Sequence, residues 1–278
     1  MIGMATAEGQ PTGHRIAEGE LHGGLPCLIV GSGPPLVVLP GLSAENRNPT
    51  GMERTSQLRN VKPLAELFTV HLVNRRPGRE PGANMNDLAS DVATAIRTDL
   101  EWPVPVLGIS TGGSIALQLA IDHPGLVSRL VLWAAACRLD PGGKARQRAL
   151  ADHTRAGHPR RAWAAVGPAL AAWPHTRASM AALLWLTGPM SDPDDPSDLL
   201  VTIAAEDAWD ATDQLHRVTA PTLVVGGARD GFYSRSLFER TADGILGSRL
   251  LLYPRRGHMG TLTHRPAQRA VAAFLAGD

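Results

Sequence analysis

Val104-Pro105-Val106-Leu107-Gly108-Ile109-Ser110-Thr111-Gly112-Gly113-Ser114-Ile115-Ala116-Leu117 is the stretch that decides the fold. A β-branched apolar run enters a turn that holds a serine between two glycines, and a second apolar run, with helical character, leaves it. A run apolar on both faces belongs inside a parallel sheet covered by helices on both sides. A serine on so sharp a strand-to-helix turn is held exposed in a strained conformation. The flanking positions must lack side chains, because strand and helix nearly collide there. Gly108 and Gly112 meet that demand, so the pattern predicts a serine hydroxyl presented at the carboxyl end of a buried strand.

Working outward, similar short runs occur at residues 36–39, 68–73 and 130–133, and again at 222–225 and 249–253. Residues 86–98 and 113–122 have the pattern of crossover helices, and 266–275 that of a terminal helix. Residues 21–30, turning at Gly23-Gly24, predict an antiparallel hairpin on the sheet edge. From Arg138 to Thr212 the strand signal gives way to an alanine-rich helical pattern broken by Pro141-Gly142-Gly143, Pro174, Gly188-Pro189 and the stretch 193–196. The expected class is α/β, a doubly wound and mostly parallel β-sheet flanked by helices. The expected division is a core of residues 1–137 and 213–278 around a helical insertion at 138–212. Trp163, Trp173, Trp185, Met180 and Met190 fall in that insertion, where they are candidates to line an apolar substrate pocket.

Composition narrows the function classes. With 278 residues there is room for one large core and an insertion. The 27 basic and 26 acidic residues leave a net charge of +1, so there is no field of one sign to hold nucleic acid or an anionic membrane. The longest apolar run, 130–137, is far shorter than the roughly 18 residues of a membrane span. Residues 1–20 show no basic leader followed by an apolar stretch, and a cytoplasmic location is expected. Cys27 and Cys137 stand far apart and read as reduced core residues. There is no HExxH or CxxC, so no metal is expected. Gly31-Ser32-Gly33-Pro34 lacks the spacing of a dinucleotide loop, so no nicotinamide or flavin cofactor is expected either.

A serine hydroxyl is a weak nucleophile, and it needs a base within hydrogen-bond reach and an acid to orient that base. The run 222–225 leads into Gly226-Gly227-Ala228-Arg229-Asp230-Gly231, and the run 249–253 into Pro254-Arg255-Arg256-Gly257-His258. Both loops lie at carboxyl ends of strands, where ligands gather in open α/β sheets. Asp230 and His258 are thereby the candidate partners of Ser110. His264 precedes the terminal helix and reads as structural. Asp207, Asp210 and Asp213 have the spacing of one solvated helical face. Arg75, Arg76 and Arg79 follow the run 68–73; the structural reading is a turn in which arginine holds backbone carbonyls of adjacent loops, and the functional one is contact with an acidic substrate group.

In order and setting, Ser110, Asp230 and His258 resemble the catalytic residues of the α/β-hydrolase family, and the likeness covers nearly the whole chain. The insertion matches the place of that family's cap. The resemblance is closest to esterases, enol-lactonases, carbon–carbon bond hydrolases and aminopeptidases. A serine nucleophile sets it apart from the dehalogenases and epoxide hydrolases, which use aspartate there. The family implies an oxyanion hole from two backbone N–H groups, here Thr111 and Leu42. Pro40-Gly41 stands before Leu42 where the family often has His-Gly. Asp140 occupies a position from which some members take their acid. The resemblance thus implies a cofactor-independent serine hydrolase of a small-molecule ester, lactone or related acyl substrate, with the oligomeric state left open. The alternatives are carbon–carbon cleavage or acyl transfer, including perhydrolysis, on the same triad. A further alternative, from a different class, is a slow ligand-binding protein of the same shape.

Overall fold

A computed structural model describes residues 5–6, 16–191 and 193–277 of the chain. Most of residues 1–20, on which the reading of a missing leader rests, lies outside the described residues. The strands are β1 (Ala5–Thr6), β2 (Ile16–Leu21), β3 (Leu25–Val30), β4 (Pro35–Leu39), β5 (Thr69–Val73), β6 (Val104–Ile109), β7 (Val127–Trp133), β8 (Thr222–Gly227) and β9 (Arg249–Tyr253). They form one sheet in the order β1-β2-β3-β5-β4-β6-β7-β8-β9. The first three join antiparallel and the rest run parallel. The β2–β3 hairpin closes through a three-residue loop, His22-Gly23-Gly24, in which the two glycines take φ +84° and +76°, left-handed values that glycine adopts without strain.

Alternation along the strands splits the core in two. Val37 and Leu39 of β4, with Leu130 and Leu132 of β7, face a cluster built with helices α2 (Met85–Asp99) and α3 (Thr111–Asp122). Leu36, Val38, Val131 and Trp133, one residue out of step, face a cluster built with α1 (Gly51–Ala65) and the terminal helix, Arg265–Ala276. Both faces of these strands are therefore dry, as their doubly apolar runs require. Four helices stand between β7 and β8: α4 (Pro141–Arg155), α5 (Pro159–Leu170), α6 (Pro174–Thr187) and α7 (Ser197–Ala208). No helix among the described residues is long and apolar enough to cross a membrane. Cys27 and Cys137 are buried free thiols, and burial pushes the Cys27 pKa up to about 12.

The helix Arg235–Gly244 was not expected, and three further features differ from the sequence reading. The hairpin begins at Ile16, five residues before the expected start, because β2 is rich in polar residues and glycine and shows no apolar run. Helix α1 was not expected: its inward side chains, Leu58, Val61, Leu64 and Ala65, all lie in its second half, and Pro63 interrupts the pattern. Asp207, Asp210 and Asp213 do not share a helical face, because α7 ends at Ala208. Asp207 pairs with Arg148, and Asp210 with Arg138 and Thr212.

Candidate active site

β6 ends at Ile109, and Ser110 turns the chain into α3 with φ 52° and ψ −124°, a conformation that costs a non-glycine residue about 1–3 kcal/mol. The turn is held from both sides. Ser110 N–H donates to Trp133 O at 3.0 Å, and Ser110 O accepts from Gly113 N at 2.7 Å. A Cβ on Gly108 would overlap the backbone of Gly112 and Gly113, and one on Gly112 would overlap the carbonyl oxygens of Leu39 and Pro40. These close approaches are why glycine stands on each side of the serine.

His258 begins the short helix His258–Leu262 after β9, and Asp230 lies in the loop after β8. His258 Nε2 lies 3.0 Å from Ser110 Oγ, and its Nδ1 lies 2.8 Å from Asp230 Oδ2. An ionised carboxylate only accepts, so Nδ1 carries the proton and Nε2 is left to accept from the serine hydroxyl. The other oxygen of Asp230 accepts from the backbone N–H of Phe232 at 2.8 Å and of Tyr233 at 3.2 Å. The Phe232 ring, 4.9 Å from that of His258, packs against the imidazole. Asp140 does not reach the histidine: its carboxylate accepts from Ser234 N at 2.6 Å and thereby braces the loop that carries Asp230.

Thr111 is the first residue of α3, so its N–H has no intrahelical acceptor. The loop bearing Leu42 passes beside it, with Gly41 so near that a Cβ there would stand 3.3 Å from Ser110 Cβ. Arg75 holds this loop. Its guanidinium donates to Gly41 O at 3.1 Å, Ser43 Oγ at 2.7 Å and Asn46 Oδ1 at 3.0 Å. Burial pushes the Arg75 pKa down to about 10, so it stays charged at neutral pH. Arg75 therefore has the structural role, bracing loop carbonyls. Arg76 and Arg79 pair with Asp91 instead.

Ser110, Thr111, Leu42 and His258 line one cavity of about 280 Å³. Its apolar wall includes Leu150, Trp163, Val166, Leu170 and Leu184 from the helices between β7 and β8. Of the five insertion residues named from sequence, Trp163 lies on this wall and the other four do not. Arg229 stacks over Trp173 at 3.7 Å, and Arg160 over the half-exposed Trp185 at 4.7 Å. Met190 is largely exposed, and Met180 is only partly buried away from the cavity. Bulk in a small helical layer thus went to its outer joints as well as to its inner face. His264 packs edge-on against Tyr253 at the start of the terminal helix, as its structural reading has it.

Over residues 78–261 the sequence matches the α/β-hydrolase family described as serine aminopeptidase, S33. The chain belongs to this family. It is 28% identical over 210 residues to the pimeloyl-[acyl-carrier protein] methyl ester esterase of Neisseria meningitidis, covering 70% of this chain and 77% of that one. Among solved structures it resembles the enol-lactonase from Burkholderia xenovorans (TM-score 0.73, 19% identity, 93% of this chain and 99% of that one). It also resembles an esterase from Exiguobacterium antarcticum (TM-score 0.72, 23% identity, 93% and 98%). The two structural likenesses show a common fold.

In this α/β-hydrolase the charged residue of the site that escaped sequence reasoning is Glu206. Glu206 of α7 is fully buried and accepts four hydrogen bonds. Thr111 Oγ1 and Gln147 Nε2 donate to Oε2 at 2.8 and 2.9 Å, and Ser114 Oγ and Tyr233 Oη donate to Oε1 at 2.8 and 3.3 Å. One carboxylate so joins α3, which follows Ser110, with α4, α7 and the loop of Asp230. Its burial beside Tyr233 helps to raise that phenol's pKa, after desolvation. The available signal was Glu206 standing in register with Leu199, Thr202 and Ile203, all buried at three- and four-residue spacing on one helical stripe.

Proposed function

We propose that the protein is a serine hydrolase that cleaves a carboxylic ester, lactone or related acyl compound through an acyl-enzyme. Ser110 attacks the carbonyl carbon as His258 takes its proton. Asp230 holds the imidazole tautomer and stabilises the imidazolium. The N–H groups of Thr111 and Leu42 receive the oxyanion. The alcohol leaves with the proton from His258, and water, activated by the same base, releases the acid. Residues 138–212 act as a cap over a core of 1–137 and 213–278, and their apolar wall holds the acyl chain of a small molecule. A cytoplasmic location belongs to the same reading.

The observation that carries this proposal is the 3.0 and 2.8 Å relay from Ser110 through His258 to Asp230, opening on an apolar cavity. The family's description as aminopeptidases gives a second reading less support. A free N-terminal ammonium needs an anionic partner, and no Asp or Glu lines the cavity among the described residues. The relatives' esterase names point the same way as that neutral wall. The test is labelling by a fluorophosphonate together with multiple turnovers of short p-nitrophenyl esters. Labelling at Ser110 with turnover supports hydrolysis. Labelling without turnover favours a binding protein, and absence of both overturns the proposal.

A further inference from the structure

The cavity at Ser110 has two unlike walls. The wall from the helices between β7 and β8 is apolar, and the polar side chains beside it are already spent: the Thr111 hydroxyl and the Gln147 amide N–H donate to Glu206, and Gln147 Oε1 is enclosed by protein. The second wall comes from α1, where Ser56, Gln57, Asn60 and Val61 line the same cavity. Positions i, i+1, i+4 and i+5 share one helical face, so three polar residues stand on one stripe with the buried Val61. Gln57 is spent as well, since its Nε2 donates to Glu53 Oε1 at 2.9 Å and its Oε1 is enclosed. Ser56 and Asn60 differ. Both are half-buried, and neither the hydroxyl nor the amide is enclosed or holds a hydrogen bond among the described residues.

A helix that closes a core carries apolar residues along its inward stripe. Helix α1 does so only in its second half, with Val61, Leu64 and Ala65, whereas the cavity-lining positions one turn earlier are polar. A hydrocarbon group seated against Ser56 and Asn60 would strip water from a hydroxyl and an amide and return no hydrogen bond, which is costly. A group that returns those bonds avoids the cost. Sites of this kind discriminate between ligands more sharply than an apolar pocket does between chain lengths.

We infer that Ser56 and Asn60 form a specificity subsite for a neutral polar group of the substrate, a hydroxyl or a carboxamide, while the apolar wall holds its hydrocarbon part. The inference rests on the serine-hydrolase reading above and deepens it. The group is neutral because no Asp, Glu, Lys or Arg lines the cavity among the described residues. It both donates and accepts, because a serine hydroxyl and an asparagine amide each offer both functions.

The experiment compares kcat/KM in two matched series, one for each side of the ester bond. The acyl series is a p-nitrophenyl alkanoate with its chain-hydroxylated and chain-carbamoylated counterparts. The alcohol series is the propyl, hydroxyethyl and carbamoylmethyl esters of one acid, followed by acid release. Both are run on the wild-type protein, Ser56→Ala, Asn60→Leu and the double variant. Alanine and leucine are better helix formers than the residues they replace, which guards α1 against a simple folding failure. Dividing each variant's polar-to-plain ratio by that of the wild type cancels the esters' intrinsic reactivities. A fall of roughly tenfold or more in either series for the double variant, still labelled at Ser110 by fluorophosphonate, is the expected result. Unchanged ratios in both series, with labelling and ester turnover intact, would overturn the polar subsite and leave the hydrolase reading standing. A wild-type protein that neither labels nor turns over any ester overturns both.

Discussion

Replacing Glu206 by alanine removes the one acceptor shared by Thr111, Ser114, Gln147 and Tyr233. A buried donor left without an acceptor costs about 1–3 kcal/mol. The three bonds of 2.8, 2.8 and 2.9 Å therefore put the loss at roughly 3–9 kcal/mol before relaxation. Water entering the space the carboxylate vacates satisfies part of this, which sets the expectation at the low end, about 3 kcal/mol. For a chain of this size that lowers Tm by roughly 6–12 °C. Glu206→Gln keeps the shape, and the hydroxyls of Thr111 and Ser114 can rotate to accept from the new amide, so its loss is smaller, about 1 kcal/mol. Urea denaturation followed by circular dichroism measures both variants. A loss under about 1 kcal/mol for the alanine variant, or equal losses for the two, refutes the idea that this carboxylate clamps the site.

Four further outcomes are expected. Ser110→Ala lowers ester turnover by about 10³-fold or more with an unchanged circular dichroism spectrum, because the half-buried turn serine on the cavity wall reacts but contributes little to packing. Asp230→Asn lowers kcat by several orders of magnitude, since an amide favours the wrong imidazole tautomer, whereas Asp140→Asn does much less; steady-state kinetics giving the reverse order would move the acid to Asp140. Arg75→Ala lowers kcat about 10- to 100-fold by freeing the loop of Gly41 and Leu42, and Arg75→Lys recovers only part, since an ammonium lacks the fork that reaches Gly41 O, Ser43 and Asn46 together. Trp163→Ala shifts kcat/KM among acyl chain lengths by roughly 10-fold, while Trp185→Ala, outside the cavity wall, leaves that profile alone.

The parallel sheet was legible because its inner strands are buried on two faces, and burial on two faces writes an uninterrupted apolar run into the sequence. β4, β6, β7 and β8 show such runs, and the structure places strands there; the edge strand β9 shows one too, although its residues are half-buried or exposed. The elements that sequence reading missed are held from one side only. Helix α1 buries four residues, all in its second half, and α-helical residues Arg235–Gly244 bury only Leu237, Phe238 and Thr241. Strand β2 sits near the sheet edge and needs no apolar face to be held by six backbone pairings to β3. In such elements backbone hydrogen bonds and neighbours decide the conformation, and side-chain periodicity records little of it.

At the site, legibility divides by the reach of each constraint. The turn at Ser110 is local: strand, glycine, serine, glycine and helix follow one another within a few residues, so their chemistry can be read in order. Asp230 and His258 are distant in sequence, yet each follows a parallel strand, and parallel strands deliver their carboxyl ends to one edge. Their meeting with Ser110 follows from topology. Glu206 has neither kind of support, because it enters from a helix whose docking angle no local pattern specifies. What does betray it is a contradiction: a charged residue in phase with the buried stripe Leu199, Thr202 and Ile203. A carboxylate is held in such a place only where several donors converge on it. Here those donors come from α3, from α4 and from the loop of Asp230. The same convergence that stabilises the charge also fixes the Gln147 amide and the Thr111 hydroxyl beside Ser110, so the stability of this layer and the order of the site have a common origin.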